Sequence, residues 1–193
     1  YHKNLVKGER FSGIKDNCSG FFVMKSGRIR VFILSEDGKE ITLFRLLEKE
    51  VCILSASCIF KNVHFTIYFD VEKDSSIYLI PSIVMEQLSL HNLNVKEYLL
   101  EQMSSRFSCA MWVMEQVVFG SLSKRVATFI LEQTLLENSR TLSITHDAIA
   151  RNIGSAREVV SRMLKYFEKE DVIGMFRGSI QVNDLEKLKT LAK

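Results

Sequence analysis

No run of apolar residues in this chain approaches the roughly 20 that a helix needs to cross a bilayer. No signal-peptide pattern opens it. Its four cysteines, Cys18, Cys52, Cys58 and Cys109, lack the close pairing of a zinc site or of a secreted disulfide framework. These absences predict a reducing, cytoplasmic setting. Proline is nearly missing, and the one residue, Pro81, closes a strand-rich region just before a helix. Net charge is small as well, only +3, but it is unevenly spread. From Ser123 onward there are 12 Lys/Arg against 9 Asp/Glu, whereas residues 1–122 hold 14 of each. The basic excess therefore lies wholly in the C-terminal part, with the sign that suits contact with phosphates. What is present is ordinary for a globular protein: 193 residues, 47% hydrophobic and 25% charged, enough for one large domain or two small ones.

The most informative stretch is Thr145 to Val182, which reads as helix, glycine turn, second helix and β-hairpin. Thr145 is placed to cap the first helix, and Ile149 with Ile153 gives that helix a buried edge. Gly154 supplies the positive φ of a tight turn between helices. Ser155 and Glu158 have the S-x-x-E spacing of a capping box at the start of the second helix. Val159, Val160, Met163, Leu164 and Phe167 then face a core, leaving Ser155, Arg157, Glu158, Ser161, Arg162 and Lys165 outward. Arg donates two hydrogen bonds to guanine, and Glu accepts from cytosine. A recognition helix enters the major groove by its N-terminal end, where these groups lie. A solvated charged face explains R-E-x-x-x-R alone equally well. The hairpin that follows tips the balance: Val172–Ile173, a turn at Arg177-Gly178 and the alternating Ile180-Gln181-Val182 predict a wing beside the helix pair.

The run I-A-R-N-I-G-S-A-R-E-V-V-S-R-M-L-K-Y-F-E-K-E-D-V-I with its wing resembles the Crp/Fnr family of bacterial transcription regulators. The resemblance makes Arg157, Glu158 and Arg162 the base-reading positions and Ser155 a phosphate or base neighbour. Ser161, Lys165 and Arg177 complete the predicted DNA-contacting set. It also implies a homodimer on palindromic double-stranded DNA and contact with RNA polymerase.

The N-terminal part reads as weakly structured to residue 20 and β-rich thereafter. Phe21–Met24, Arg28–Leu34, Ile41–Leu46, Phe65–Val71 and Ser76–Ile80 are expected strands, with turns at Lys25-Ser26-Gly27 and in the D-G-K-E loop. Short strands of this kind predict a small antiparallel β-barrel or jelly roll, and F-F-V-M-K-S-G-R-I-R-V-F is similar to the family's cyclic-nucleotide-binding-like sensor. After a helix from Ser82 to Leu90, a long helix spans Asn94 to Phe119. On it Leu100, Met103, Phe107, Ala110, Met114 and Val117 recur at alternating steps of three and four, an a/d seam that predicts parallel dimerisation. Leu99, Trp112 and Val113 form a second apolar edge, so one side can serve the barrel and the other a partner. Phe119–Ser123 reads as a hinge, with Ser121 or Ser123 capping a helix Lys124–Glu137. The expected class is α+β: sensor domain 1–93, dimerisation helix 94–119, winged helix-turn-helix domain 120–193.

The sensor departs from the family pattern. Members that bind cyclic AMP carry a G-E-L segment and an arginine that clamps the phosphate. The corresponding Glu50–Phe60 has no Gly-Glu, and no arginine occurs between Arg45 and Arg106. Cyclic AMP is therefore not expected, and the effector is unknown. Cys52, Ser55, Ser57 and Cys58 occupy the place of the nucleotide segment. Two readings of the cysteines stand, small buried hydrophobes or a ligand, metal or redox site. A direct disulfide would require the segment to fold back, since six extended residues span roughly 20 Å. No metal site is expected. His64 and a cysteine lack an orienting carboxylate and oxyanion hole, so an enzyme is not expected. The reading is a DNA-binding regulator that couples an effector or redox signal to promoter binding. The alternative is a ligand-binding module whose winged helix contacts protein.

Overall fold

The computed structural model describes residues 1–12, 20–55 and 66–193. The chain divides into two compact units, one from Tyr1–Ser35 and Thr42–Val113, the other from Glu36–Ile41 and Met114–Lys193.

In the first unit, six strands form one sheet. They are β1 (His2–Leu5), β2 (Arg10–Ser12), β3 (Phe21–Leu34), β4 (Glu40–Leu46), β5 (Val51–Cys52) and β6 (Tyr68–Ile80). The order is β1-β6-β3-β4, with β2 also on β6 and β5 also on β3. β6 pairs antiparallel with β1, β2 and β3. The described strands make an open, jelly-roll-like sheet rather than a closed barrel. Alternation sorts its faces. Ile29 and Val31 join Phe21, Met24, Leu46, Phe69 and Val71 in the core. Arg28 and Arg30 fall on the other face, where they find carboxylates on β6. Arg28 Nε lies 2.8 Å from Glu72, Arg45 Nε 3.0 Å from the same carboxylate, and Arg10 Nη2 3.1 Å from Asp70.

Three expectations fail in this unit. Residues 1–20 are not unstructured throughout, because β1 and β2 pair with β6. Their partners lie 56 or more residues away, so no local signal marks them. Lys25-Ser26-Gly27 is not a turn between two strands. β3 runs straight through it as 14 residues, absorbing register shifts at Met24/Ser26, Ser26/Arg28 and Arg28/Ile29. Gly27 at φ +94° makes this bulge passable, since a Cβ there would collide with Ser75 Oγ and the Asp74 carbonyl. Likewise Ser76–Ile80 is the end of the 13-residue β6, not a separate strand.

Helix α1 (Ser82–His91) follows Pro81, and α2 (Leu93–Val118) is a single helix of 26 residues, on the order of 39 Å long. No residue of α2 is buried. Val95, Leu99 and Met103 pack part-buried on the sheet core, so Met103 serves that core as well as the seam. Leu100, Phe107 and Met114 are 67%, 66% and 52% exposed.

In the second unit α2 is followed by α3 (Leu122–Glu137), which starts two residues before the expected Lys124. Ser121 Oγ caps it by accepting from the Lys124 N–H at 3.1 Å. Then come β7 (Thr141–Leu142), α4 (His146–Asn152), α5 (Arg157–Lys169), β8 (Ile173–Phe176), β9 (Ser179–Val182) and α6 (Leu185–Leu191). The strands form a sheet in the order β7-β9-β8. Val126, Ile130, Ile149, Val160, Leu164, Phe167, Ile173 and Ile180 make one core.

Candidate nucleic-acid interface and sensor site

Thr145 Oγ1 caps α4, accepting from the Ala148 N–H at 3.1 Å. Gly154 takes φ +66°, which turns the chain toward α5. The Ser155 N–H returns to the Ala150 carbonyl at 3.0 Å, tying Ser155 to the end of α4. That bond overturns the expected capping box. The N-cap of α5 is Ala156 at φ −81°, ψ 142°, and it has no side-chain cap. Glu158 consequently stands in the exposed first turn of α5, where the helix dipole favours a carboxylate.

On α5, Val160, Leu164 and Phe167 are buried, Met163 packs on the core and Val159 is half-buried. Arg157, Glu158, Arg162 and Lys165 are exposed. Ser155 and Ser161 are half-buried, and Ser161 Oγ lies 3.2 Å from His146 Nδ1 on α4. Helical spacing puts Arg157, Ser161 and Lys165 in one row, with Glu158 and Arg162 in the next. The wing hairpin closes through Arg177 and Gly178, the latter at φ +77°, and Arg177 is exposed. The nearby carboxylates are engaged with the wing and its base. Glu168 accepts from the Met175 N–H at 3.3 Å, and Asp171 from Asn183 at 3.0 Å. Among the described residues, no ion pair neutralises Arg157, Arg162, Lys165 or Arg177; the pair on α4 is Arg151–Asp147 at 3.2 Å. The result is a cationic row on an amphipathic helix, braced by a hairpin that adds a further arginine.

In the first unit Cys52 is fully buried, and burial pushes its thiol up to about 11. Ser55, also buried, places its Oγ 2.7 Å from the Gly20 carbonyl and 2.9 Å from that of Cys52. Its hydroxyl thus ties the end of β5 to the start of β3. Ser57, Cys58 and His64 lie outside the described residues. No group of metal-ligating side chains occurs among those described, and no described helix is long and apolar enough to cross a membrane. Reading along the chain missed one group that the fold delivers. Arg106 of α2 reaches over the Phe44 ring at 4.3 Å and to the Val51 carbonyl at 3.5 Å. The segment around Cys52 therefore does have a guanidinium beside it, supplied by a helix. Its signal in the sequence is an arginine on the α2 edge that also carries Val95, Leu99 and Met103.

Residues 124–191 match the Crp-like helix-turn-helix domain family. A crystal structure of a Crp/Fnr-family protein from Eubacterium rectale is 40% identical, covers 100% of this chain and 89% of its own, and superposes with a TM-score of 0.93. The chain belongs to the Crp/Fnr family. Curated family relatives include the transcriptional activator protein Anr of Pseudomonas protegens, 24% identical over 97% of this chain and 79% of its own. The fumarate and nitrate reduction regulatory protein of Yersinia pestis is 22% identical over 98% of this chain and 78% of its own. These relatives are transcription regulators, not enzymes.

Proposed function

We propose that this Crp/Fnr protein is a homodimeric, sequence-specific DNA-binding transcription regulator. In this reading Arg157, Glu158 and Arg162 read bases, and Ser155, Ser161, Lys165 and Arg177 hold phosphates or neighbouring bases. The observation that carries it is the row of exposed cations on α5 without ion-pair partners among the described residues, beside a wing braced by Glu168. A structural face would pair these cations with the carboxylates at hand. The dimer is supported by Leu100, Phe107 and Met114, large apolar side chains exposed along one helix. Such stripes on a globular surface mark contact sites. The N-terminal sheet is the sensor of an effector, and α2 carries its state toward the DNA helices.

Selection from a randomised duplex library tests the reading. Enrichment of two-fold symmetric half-sites about one helical turn apart is expected, with a strong fall of affinity as salt rises. Arg162→Ala should relax the preference at one base pair, costing about 1–3 kcal/mol. Binding without preference over random duplex, or unaffected by salt, refutes it and favours a winged helix that docks on protein.

A further inference from the structure

Phosphates are held by cations and polar donors, yet the tip of the wing carries an aromatic ring. Across residues 172–183 Arg177 is the only charged side chain. Beside it Phe176 is 61% exposed. Alternation in the hairpin separates two faces. Ile173, Met175, Ile180 and Val182 belong to the core, which leaves Gly174, Phe176, Ser179 and Gln181 on the outer face. There the Phe176 ring leans over bare Gly174, its edge 3.3 Å from where a Cβ would stand, and the rest of it meets water. The tip is slim. Phe176 pairs with Ser179, leaving only Arg177 and Gly178 at the turn, and no atom comes within 4 Å of the Cβ position of Gly178. Its base is fixed to α5. The Met175 N–H donates to Glu168 at 3.3 Å, and the Val172 N–H donates to the Phe167 carbonyl at 2.9 Å. A braced tip with one guanidinium and one water-facing phenyl ring is poorly suited to a row of phosphates. It suits a partner that is at once anionic and apolar-walled.

We infer that the wing tip reads the DNA minor groove flanking each half-site, with Arg177 inside the groove and Phe176 against its wall. This deepens the DNA-binding reading above and rests on it. The minor groove is walled by deoxyribose C–H groups, an apolar surface that a phenyl ring covers, whereas a phosphate ridge offers the ring nothing. Its negative potential draws a guanidinium, most strongly where a run of A·T pairs narrows it. A G·C pair instead places the guanine N2 amino group on the floor. The four residues of β8 span roughly 13 Å, about the 12 Å width of the major groove that receives a recognition helix. The hairpin is thus long enough to carry its tip past the adjoining sugar–phosphate ridge. A·T pairs outside the bases assigned to Arg157, Glu158 and Arg162 then add to specificity, although α5 never touches them.

The test measures binding of the full chain, by fluorescence anisotropy, to duplexes that share the selected half-sites and differ only in their flanks. A·T flanks should bind about ten-fold tighter than G·C flanks. Inosine·cytosine flanks remove only the minor-groove amino group, so they should recover most of that gain. Arg177→Ala should erase the difference between flanks. Arg177→Lys should keep the salt dependence and lose most of the flank preference, because a compact ammonium replaces the planar guanidinium. Phe176→Ala should weaken binding to A·T flanks several-fold more than to G·C flanks, with Tm nearly unchanged because the ring is mostly exposed. The inference is overturned if the flanks bind alike or if inosine·cytosine behaves as G·C. It is also overturned if Arg177→Ala weakens all three duplexes equally, the mark of a phosphate contact, or if Phe176→Ala affects every flank alike. Any of these outcomes with half-site selection intact removes this inference alone. If no half-site is selected, the DNA-binding reading falls with it, and the exposed ring belongs to a protein contact.

Discussion

Cys52 offers a sharp test of how the sensor core is built. Its thiol ionises near 11 instead of the ordinary 9.0, because burial penalises the thiolate more than the Ser55 contacts and Arg106 favour it. At pH 8 an ordinary thiol is about one-tenth ionised and Cys52 about one-thousandth, a ~100-fold deficit in the reactive form. A brief iodoacetamide pulse on native and on denaturant-unfolded protein measures this directly. Cys52 and Cys58 share a tryptic peptide, so fragment ions must assign the modified sulfur. Native Cys52 should react at least ~100-fold more slowly than unfolded, and more slowly still for want of access. A native rate within about ten-fold of the unfolded rate refutes the buried-thiol account and reopens a redox role. The same shift has a thermodynamic sign. Between pH 9 and 11 the unfolded state has released a proton that the folded state keeps. Stability is therefore unaffected by this group below pH 9 and falls as pH rises through that window, by about 3 kcal/mol in all. Cys52→Ala should remove that part of the alkaline loss.

Four further perturbations follow from the geometry. Thr145→Ala removes the α4 cap and should cost about 1 kcal/mol in chemical denaturation, whereas Ser155→Ala should cost less, because Ser155 holds α4 through its backbone N–H. Gly27→Ala places a Cβ against Ser75 and the Asp74 carbonyl at positive φ, and should cost about 2–3 kcal/mol in the same assay. Phe107→Glu sets a charge in the exposed stripe of α2, and light scattering should report a monomer with its circular dichroism intact; a variant that stays dimeric would place the interface elsewhere.

The helix-turn-helix was legible because its determinants are local. Thr145, Gly154 and the Arg177-Gly178 hairpin each act within a few residues, and the burial of Val160, Leu164 and Phe167 follows from helical period alone. The capping box misled because Ser155 has two uses for its backbone and side chain, and the tie to Ala150 won. The sheet was less legible for the opposite reason. β1 and β2 exist only as partners of β6, and the chemistry of Lys25-Ser26-Gly27 is that of a turn until a facing strand converts it to a bulge. Arg106 is illegible in the sequence for a similar cause: it faces the Val51 segment from 55 residues further along the chain.

The central place of β6 bears on how the chain is made. β1, β2 and β3 all emerge from the ribosome before the strand that pairs with them. Arg10 waits for Asp70, 60 residues later, and His2 longer still for Tyr78. At ordinary synthesis rates that is roughly 3–15 s during which the N-terminal strands are unpaired edges. Lys3, Lys7 and Arg10 punctuate this segment with charge, the feature that discourages edge-to-edge association. The first dozen residues are thus composed for waiting as much as for pairing. A truncated product ending before Tyr68 would leave them permanently without a partner.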